Sequence, residues 1–308
     1  MTRMIFGAPR VAPAKISPWV GTRMYWTGWD GVRRELTDWR SGVFVLEEGV
    51  EGLSMPKHTA WTSSSPAQHG QRLRGFRVPA RPCAWASFVY SKESSLEFLE
   101  RDGDFWHSLQ PGKYGTWEVR TEAGTRRIRC RLDDESGGDK YGLDPSQQGW
   151  AAYDIRLIAD DPFWYGETVE AEWGTASLVD FNAWVTDSQM GYLSSANRLE
   201  NAVMTNPGDV EAWPVWTISG PATSVTVGIT GSTVTAPINL ASSSDVLVID
   251  TDPAVQMAWL NGVDVTMQLG SADFAPIPAG ADRKLVLAMT GNGTVSATIS
   301  TRYYRAWG

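Results

Sequence analysis

A mainly β chain of two successive units is the fold class this sequence predicts, and three observations predict it. Runs rich in Val, Ile, Thr, Trp and Tyr are short and mostly alternate with polar residues, as half-buried strands require. Gly and Pro punctuate these runs throughout, which marks turns between antiparallel strands. At 308 residues the chain exceeds the size at which one hydrophobic core usually keeps growing. An apolar content of 42% with 20% charged residues is that of a folded protein rather than a disordered one.

In the first half the alternation places strands at Val43–Glu47, Ala84–Tyr90, Thr116–Thr121, Thr125–Leu132 and Ala151–Ala159. In the last of these Tyr153, Ile155 and Leu157 share one face and Asp154 and Arg156 the other. Gly124 in EAGT fits a tight hairpin between the third and fourth strands. One helix is expected, in LEFLERDGDFWHSL after Ser94-Ser95, with Leu96, Leu99, Phe105 and Trp106 as its apolar stripe and Gly103 ending or interrupting it. The acidic, Gly-rich stretch from Asp133 to Asp144 is too polar for a core and reads as a projecting loop.

A domain border is expected after DPFWYG, giving units at 1–165 and 206–308 with a connecting segment at 166–205. Beyond Trp213 the strand pattern is regular: Val215–Ser219, Ser224–Ile229, Ser232–Ile238, Val246–Asp250, Val255–Leu260, Val263–Val265, Lys284–Met289 and Thr294–Tyr304. Asn261-Gly262 is a type I′ hairpin signal, and Asn292-Gly293 a second. Strands at this spacing imply a sandwich of two packed antiparallel sheets.

Charge is divided unevenly. Residues 1–165 carry 22 Lys and Arg against 21 Asp and Glu, and residues 166–308 carry 5 against 14, net +1 and −9. The second half is therefore a poor surface for nucleic acid or an anionic membrane. No run is long and apolar enough to span a membrane, and the N-terminus lacks the apolar segment of a secretory signal, so synthesis and folding in a cytoplasm are expected. Cys83 and Cys130, without a C-x-x-C pattern, read as buried reduced thiols.

The residues offer no catalytic constellation. His58, His69 and His107 have no partners at metal-ligand or triad spacing, and neither a G-x-S-x-G elbow nor a P-loop is present. The carboxylates Glu47-Glu48, Asp133-Asp134-Glu135 and Asp160-Asp161 lie in strands or polar loops, so no enzyme, metal or cofactor is expected. The informative charge pattern is TRRIRCRL. As a strand it turns Ile128, Cys130 and Leu132 to the core and leaves Arg127, Arg129 and Arg131 as one basic row. That row either pairs across strands with Glu118 and Glu122 or meets carboxylates of an adjacent subunit. The acidic candidates for such contacts are Asp133, Asp134 and Glu135, and Trp19, Trp26, Trp29 and Trp39 are candidate anchors or core residues.

Several segments together carry a resemblance: Asn206-Pro207-Gly208-Asp209, Trp213-Pro214, Ile218–Pro221, VLVIDT at Val246–Thr251, the Asn261-Gly262 turn, FAPIPAG at Phe274–Gly280, the closing RYYRAW, and LIADDPFWY at Leu157–Tyr165. The pattern resembles the siphophage distal tail protein family, strongly from about residue 200 and more loosely before 165. The resemblance implies an N-terminal belt domain, a split β-barrel or sandwich with one helix, followed by a galectin-like β-sandwich. It implies a structural virion protein that forms a ring, a hexamer, at the distal tip of a long non-contractile tail. The implied partners are copies of itself, the tail tube protein, the tape measure protein and a tail-tip hub or baseplate protein, with DNA passing through the ring without specific binding. The second reading is a carbohydrate-binding sandwich that adheres to a host surface through Tyr303, Tyr304 and Trp307. Alternation places Trp259 inside and so argues against it.

Overall fold

The computed structural model describes residues 21–134, 144–174, 199–280 and 282–307. In the first half, strands β1 (Arg23–Thr27), β2 (Arg33–Glu35), β3 (Val43–Glu51), β4 (Thr59–Ser65), β5 (Gln68–Arg77) and β6 (Arg81–Tyr90) precede helix α1 (Ser95–His107). β7 (Tyr114–Thr121), β8 (Gly124–Leu132), the one-turn helix α2 (Pro145–Gln148) and β9 (Trp150–Ala159) follow. Seven of these strands pair antiparallel in the spatial order β3-β6-β9-β8-β7-β1-β2. The sheet curls without closing, and the Val45 N–H reaches the Leu36 carbonyl just beyond β2. β4 and β5 pair only with each other.

Alternation builds the core of this unit. Along β6, Cys83, Trp85, Ser87 and Val89 are buried while the residues between them are not. Trp26, Trp85, Trp117 and Trp164 form an edge-to-face chain with ring centroids 5.1, 5.3 and 5.1 Å apart, a favoured aromatic geometry. Gly115 is required beside it, because a Cβ there would lie 2.2 Å from the Trp26 ring. Cys83 and Cys130 are buried free thiols, and contact with Cys83 and burial both push the Cys130 thiol up from its ordinary pKa.

The second half is a sandwich. Its strands are β10 (Trp164–Gly174), β11 (Val203–Thr205), β12 (Val215–Ser219), β13 (Ala222–Ile229), β14 (Ser232–Ala236), β15 (Val246–Asp250), β16 (Met257–Leu260), β17 (Val263–Asp264), β18 (Ser271–Ala272), β19 (Asp282–Lys284), β20 (Ala288–Gly291) and β21 (Thr294–Tyr303). One sheet runs β17-β16-β15-β12-β21-β10 and the other β18-β14-β13-β20. Trp216, Ile218, Leu247, Ile249, Val295 and Ile299 from the first meet Val225, Val227 and Val234 from the second in one core. The Asn261-Gly262 turn has φ of 49° and 83°, the positive pair that a type I′ hairpin needs.

The two halves share backbone pairing. β10 lies along β21 from Trp164 to Gly174 and meets β8 at Tyr165 opposite Arg127, so the larger sheets join into 13 strands among the described residues. Residues for which the sequence gives no element, Thr168 to Gly174, are thus a full strand of the sandwich. Asn206 is fully buried and stitches the second unit, donating to the carbonyls of Val210 and Ile277 while accepting from the Gly208 N–H. Asp209 in turn joins the end of β21, its N–H to the Arg302 carbonyl and its carboxylate to the Tyr304 N–H.

The structure corrects five local expectations. In α1, capped by the Ser94 hydroxyl on the Glu97 N–H, the inward residues are Phe98 and Phe105, while Leu96 and Leu99 are 66% and 52% exposed. Gly103 lies inside that helix rather than ending it. The single strand expected over Lys284–Met289 is two, because the chain leaves β11 to pair with β13, and both Leu285 and Leu287 are buried at the crossing. For the same reason Asn292-Gly293 is no hairpin: β20 and β21 pair with different strands in different sheets. Trp259 is half-buried, the inward residue of β16 being Ala258.

Candidate assembly surface

The basic row predicted in β8 exists, and the register of the sheet enlarges it into a face. Ile128 and Cys130 point inward, which turns Arg127, Arg129 and Arg131 outward. Cross-strand pairing then sets Glu118 opposite Arg127, Thr116 opposite Arg129 and Tyr114 opposite Arg131. One strand further on, Tyr25 is opposite Glu118 and Arg23 opposite Arg120, and β2 adds Arg33 and Glu35. The outer face of β2-β1-β7-β8 therefore carries six arginines, Arg23, Arg33, Arg120, Arg127, Arg129 and Arg131, against Glu35, Glu118 and, at its edge, Asp160.

Glu118 organises this face. Its side chain, 9% exposed, accepts from Arg33 Nη2 and Arg120 Nε at 2.6 Å and from Arg127 Nε at 2.7 Å. Burial pushes its carboxyl upward, but hydrogen bonds from Arg127 and Arg120 and the charges of Arg127 and Arg33 outweigh this and hold it below its usual value. Rings and Asp160 hold the guanidinium groups further. Arg33 and Arg120 lie 3.8 and 5.2 Å from the Tyr25 ring centroid, and Arg129 lies 4.3 Å from that of Tyr114. Arg131 pairs with Asp160, which also accepts from the Tyr114 hydroxyl. The result is a pre-ordered array in which cations exceed anions, suited to bidentate recognition of carboxylates.

Of the two readings of the row, cross-strand pairing holds for Glu118 but not for Glu122, which sits exposed in the β7–β8 turn with no ion pair among the described residues. Sequence reasoning found the β8 arginines and missed Arg23, Arg33 and Arg120, because only the register brings β1 and β2 beside β7. Asp133 and Asp134 lie just past β8, where the Asp133 N–H donates to the Arg156 carbonyl; Glu135 lies outside the described residues. Trp26 is core, Trp29 and Trp39 are exposed, and Trp19 lies outside the described residues.

The aromatic residues of the C-terminal motif line other ground. Tyr303 and Trp307 border a crevice of about 660 Å³ between the β7–β8 turn and β10, with Glu167 and Asp209 on its walls. Arg126 lies 3.6 Å from the Tyr303 ring centroid, covering one face, and Tyr304 packs edge-on against Phe163. Tyr303 and Trp307 also pack against the first core.

No protein-family model matches the sequence, and no curated protein matches it. Solved structures do. The phage SPP1 Dit protein, gp 19.1, described as a paradigm of the hub adsorption apparatus of phages that infect Gram-positive bacteria, superimposes with a TM-score of 0.61 at 15% identity over 91% of this chain and 98% of its own. The chain has the fold of SPP1 Dit. A chain of the phage P2 baseplate in its activated conformation is similar over the same shares, at a TM-score of 0.52, with 13% identity in the calcium form and 12% in the strontium form. The Dit likeness extends over both units, so the sheet of the first unit and the sandwich belong to one shared fold.

Proposed function

We propose that this chain is a structural protein of the tip of a long non-contractile phage tail, where it forms a ring that joins the tail tube to the tail-tip hub or baseplate. The observation that carries this reading is the Dit likeness over 91% of the chain, which takes in both units and the junction between them. The belt assigned to residues 1–165 forms the ring, and the sandwich projects from it, taking in β11 and most of β10 from the segment 166–205 as well as residues 206–308. Within the ring the arginine face of one copy meets carboxylates of the next, a contact the acidic second half and the Asp133-Asp134 corner can both supply. Tube, tape measure and hub proteins are the expected neighbours in the virion, and DNA passes through without sequence-specific contacts.

The test is the mass and shape of the purified chain, by light scattering after size exclusion and negative-stain imaging of the same peak. A closed ring of about six copies is expected, as a heterologous contact that closes must give. A chain that stays monomeric at high concentration, or stops at a two-fold dimer, overturns the reading.

A further inference from the structure

Strands β8 and β10 part within one sheet. They pair at Arg127 and Tyr165, and just beyond that pair a register shift between Tyr165 and Thr168 carries β10 along β21 and away from β8. Gly166 lets the chain pass close to its neighbour there, since a Cβ would lie 2.6 Å from the Tyr303 ring. The wedge that opens is the crevice of about 660 Å³, walled by Thr121–Arg126 on one side and Gly166–Val169 on the other. Small residues such as Ala123, Gly124 and Gly166 leave room in it for a main chain.

From Thr168 to Gly174, β10 pairs with β21 along one edge, and no described residue pairs with the other. Such an edge presents a row of backbone N–H and C=O groups to any extended chain. Its side chains restrict which chain fits. Thr168, Glu170 and Glu172 are exposed on the outer face of the sheet, whereas Val169 and Ala171 pack against the sandwich core. Glu122 and Glu167 border the crevice, and none of these four glutamates has an ion pair among the described residues. The edge therefore disfavours its own kind: β10 laid against β10 of a second copy sets glutamate beside glutamate.

We infer that the crevice and the open edge of β10 receive an extended segment of another protein as an added strand. Its inward residues are apolar and cover Val169 and Ala171, and its outward residues are Lys or Arg beside Glu170 and Glu172. Main-chain pairing supplies the affinity, and the alternation of apolar and basic residues supplies the specificity. The site lies on a single chain, so the inference holds whether or not copies close into a ring.

The test uses a short fluorescein-labelled peptide of alternating valine and lysine, with a valine–glutamate peptide as its counterpart. Fluorescence anisotropy is expected to show saturable binding of the lysine peptide, with the glutamate peptide about tenfold weaker or worse. Glu170→Lys/Glu172→Lys, on an exposed face, is expected to exchange the two preferences. Hydrogen exchange read amide by amide is expected to slow within Gly166–Gly174 when the lysine peptide is bound. Binding that follows charge while those amides exchange as before is adsorption to an acidic surface and overturns the inference. Absence of saturable binding overturns it too, as do edge amides already protected in the free chain. A peptide that binds only by breaking up assemblies of the chain gives the edge to a second copy and overturns the assignment to another protein.

Discussion

At Glu118 one carboxylate is shared by three guanidinium groups, and most of the order in the basic face depends on it. Removing its charge leaves Arg33, Arg120 and Arg127 facing one another. Each of those arginines is more than two-fifths exposed, so solvent screens the repulsion, and Glu118→Gln is expected to cost only about 1–2 kcal/mol. The pH dependence has a definite sign. The folded carboxyl titrates below its unfolded value, so its stabilisation is complete above the unfolded pKa and is lost as pH falls through the folded one. Urea unfolding followed by Trp fluorescence should therefore show the difference between wild type and E118Q at pH 7 and its progressive loss as pH falls below the usual carboxylate range. A difference that persists in acid would mean that the side chain acts through packing instead of charge.

Helix α1 shows what sequence can and cannot settle about an element. Its start was legible, because Ser94 and Glu97 are a capping pair, but its inward face was not. Leu96, Phe98, Leu99 and Phe105 are all apolar, and only the position of the curled sheet selects Phe98 and Phe105. Phe98→Ala should therefore cost about 3–5 kcal/mol in the same unfolding assay, whereas Leu96→Ser should stay within about 0.5 kcal/mol. Equal costs would return the stripe to the leucines. Strands fared better where alternation was strict: Val215–Ser219 and Val246–Asp250 are strands to the residue. Asn292-Gly293 failed because turn chemistry is local, while the question of whether two flanking strands share a sheet is not. The basic face was half legible for the same reason. The β8 row follows from period two, and its extension across Tyr25 and Arg33 follows from pairing between strands distant in sequence.

Across the whole molecule the two cores are held together by a buried cation that no sequence signal marked. Arg81 is 3% exposed and has no carboxylate partner among the described residues; its guanidinium donates to the carbonyls of Gly52, Ser54, Pro162 and Tyr304 at 2.6–2.8 Å. These four carbonyls come from the loop after β3, the link into β10 and the residue after β21. One side chain thus pins the chain where it leaves the first unit and where it returns to it. The return is completed by Ala306, buried in the first core with its N–H on the Leu53 carbonyl. Arg81→Met keeps an unbranched apolar stem but removes every one of those donors, the buried bond to the Pro162 carbonyl among them, and is expected to cost about 3–5 kcal/mol. The cost should fall on the junction more than on either core. Calorimetry of the wild-type chain should then show the two units unfolding together, and R81M two resolved transitions, the first from the unit that contains the Trp26-Trp85-Trp117-Trp164 chain. A single transition in R81M, merely displaced to lower temperature, would show that the β10–β21 ladder couples the units without help from Arg81.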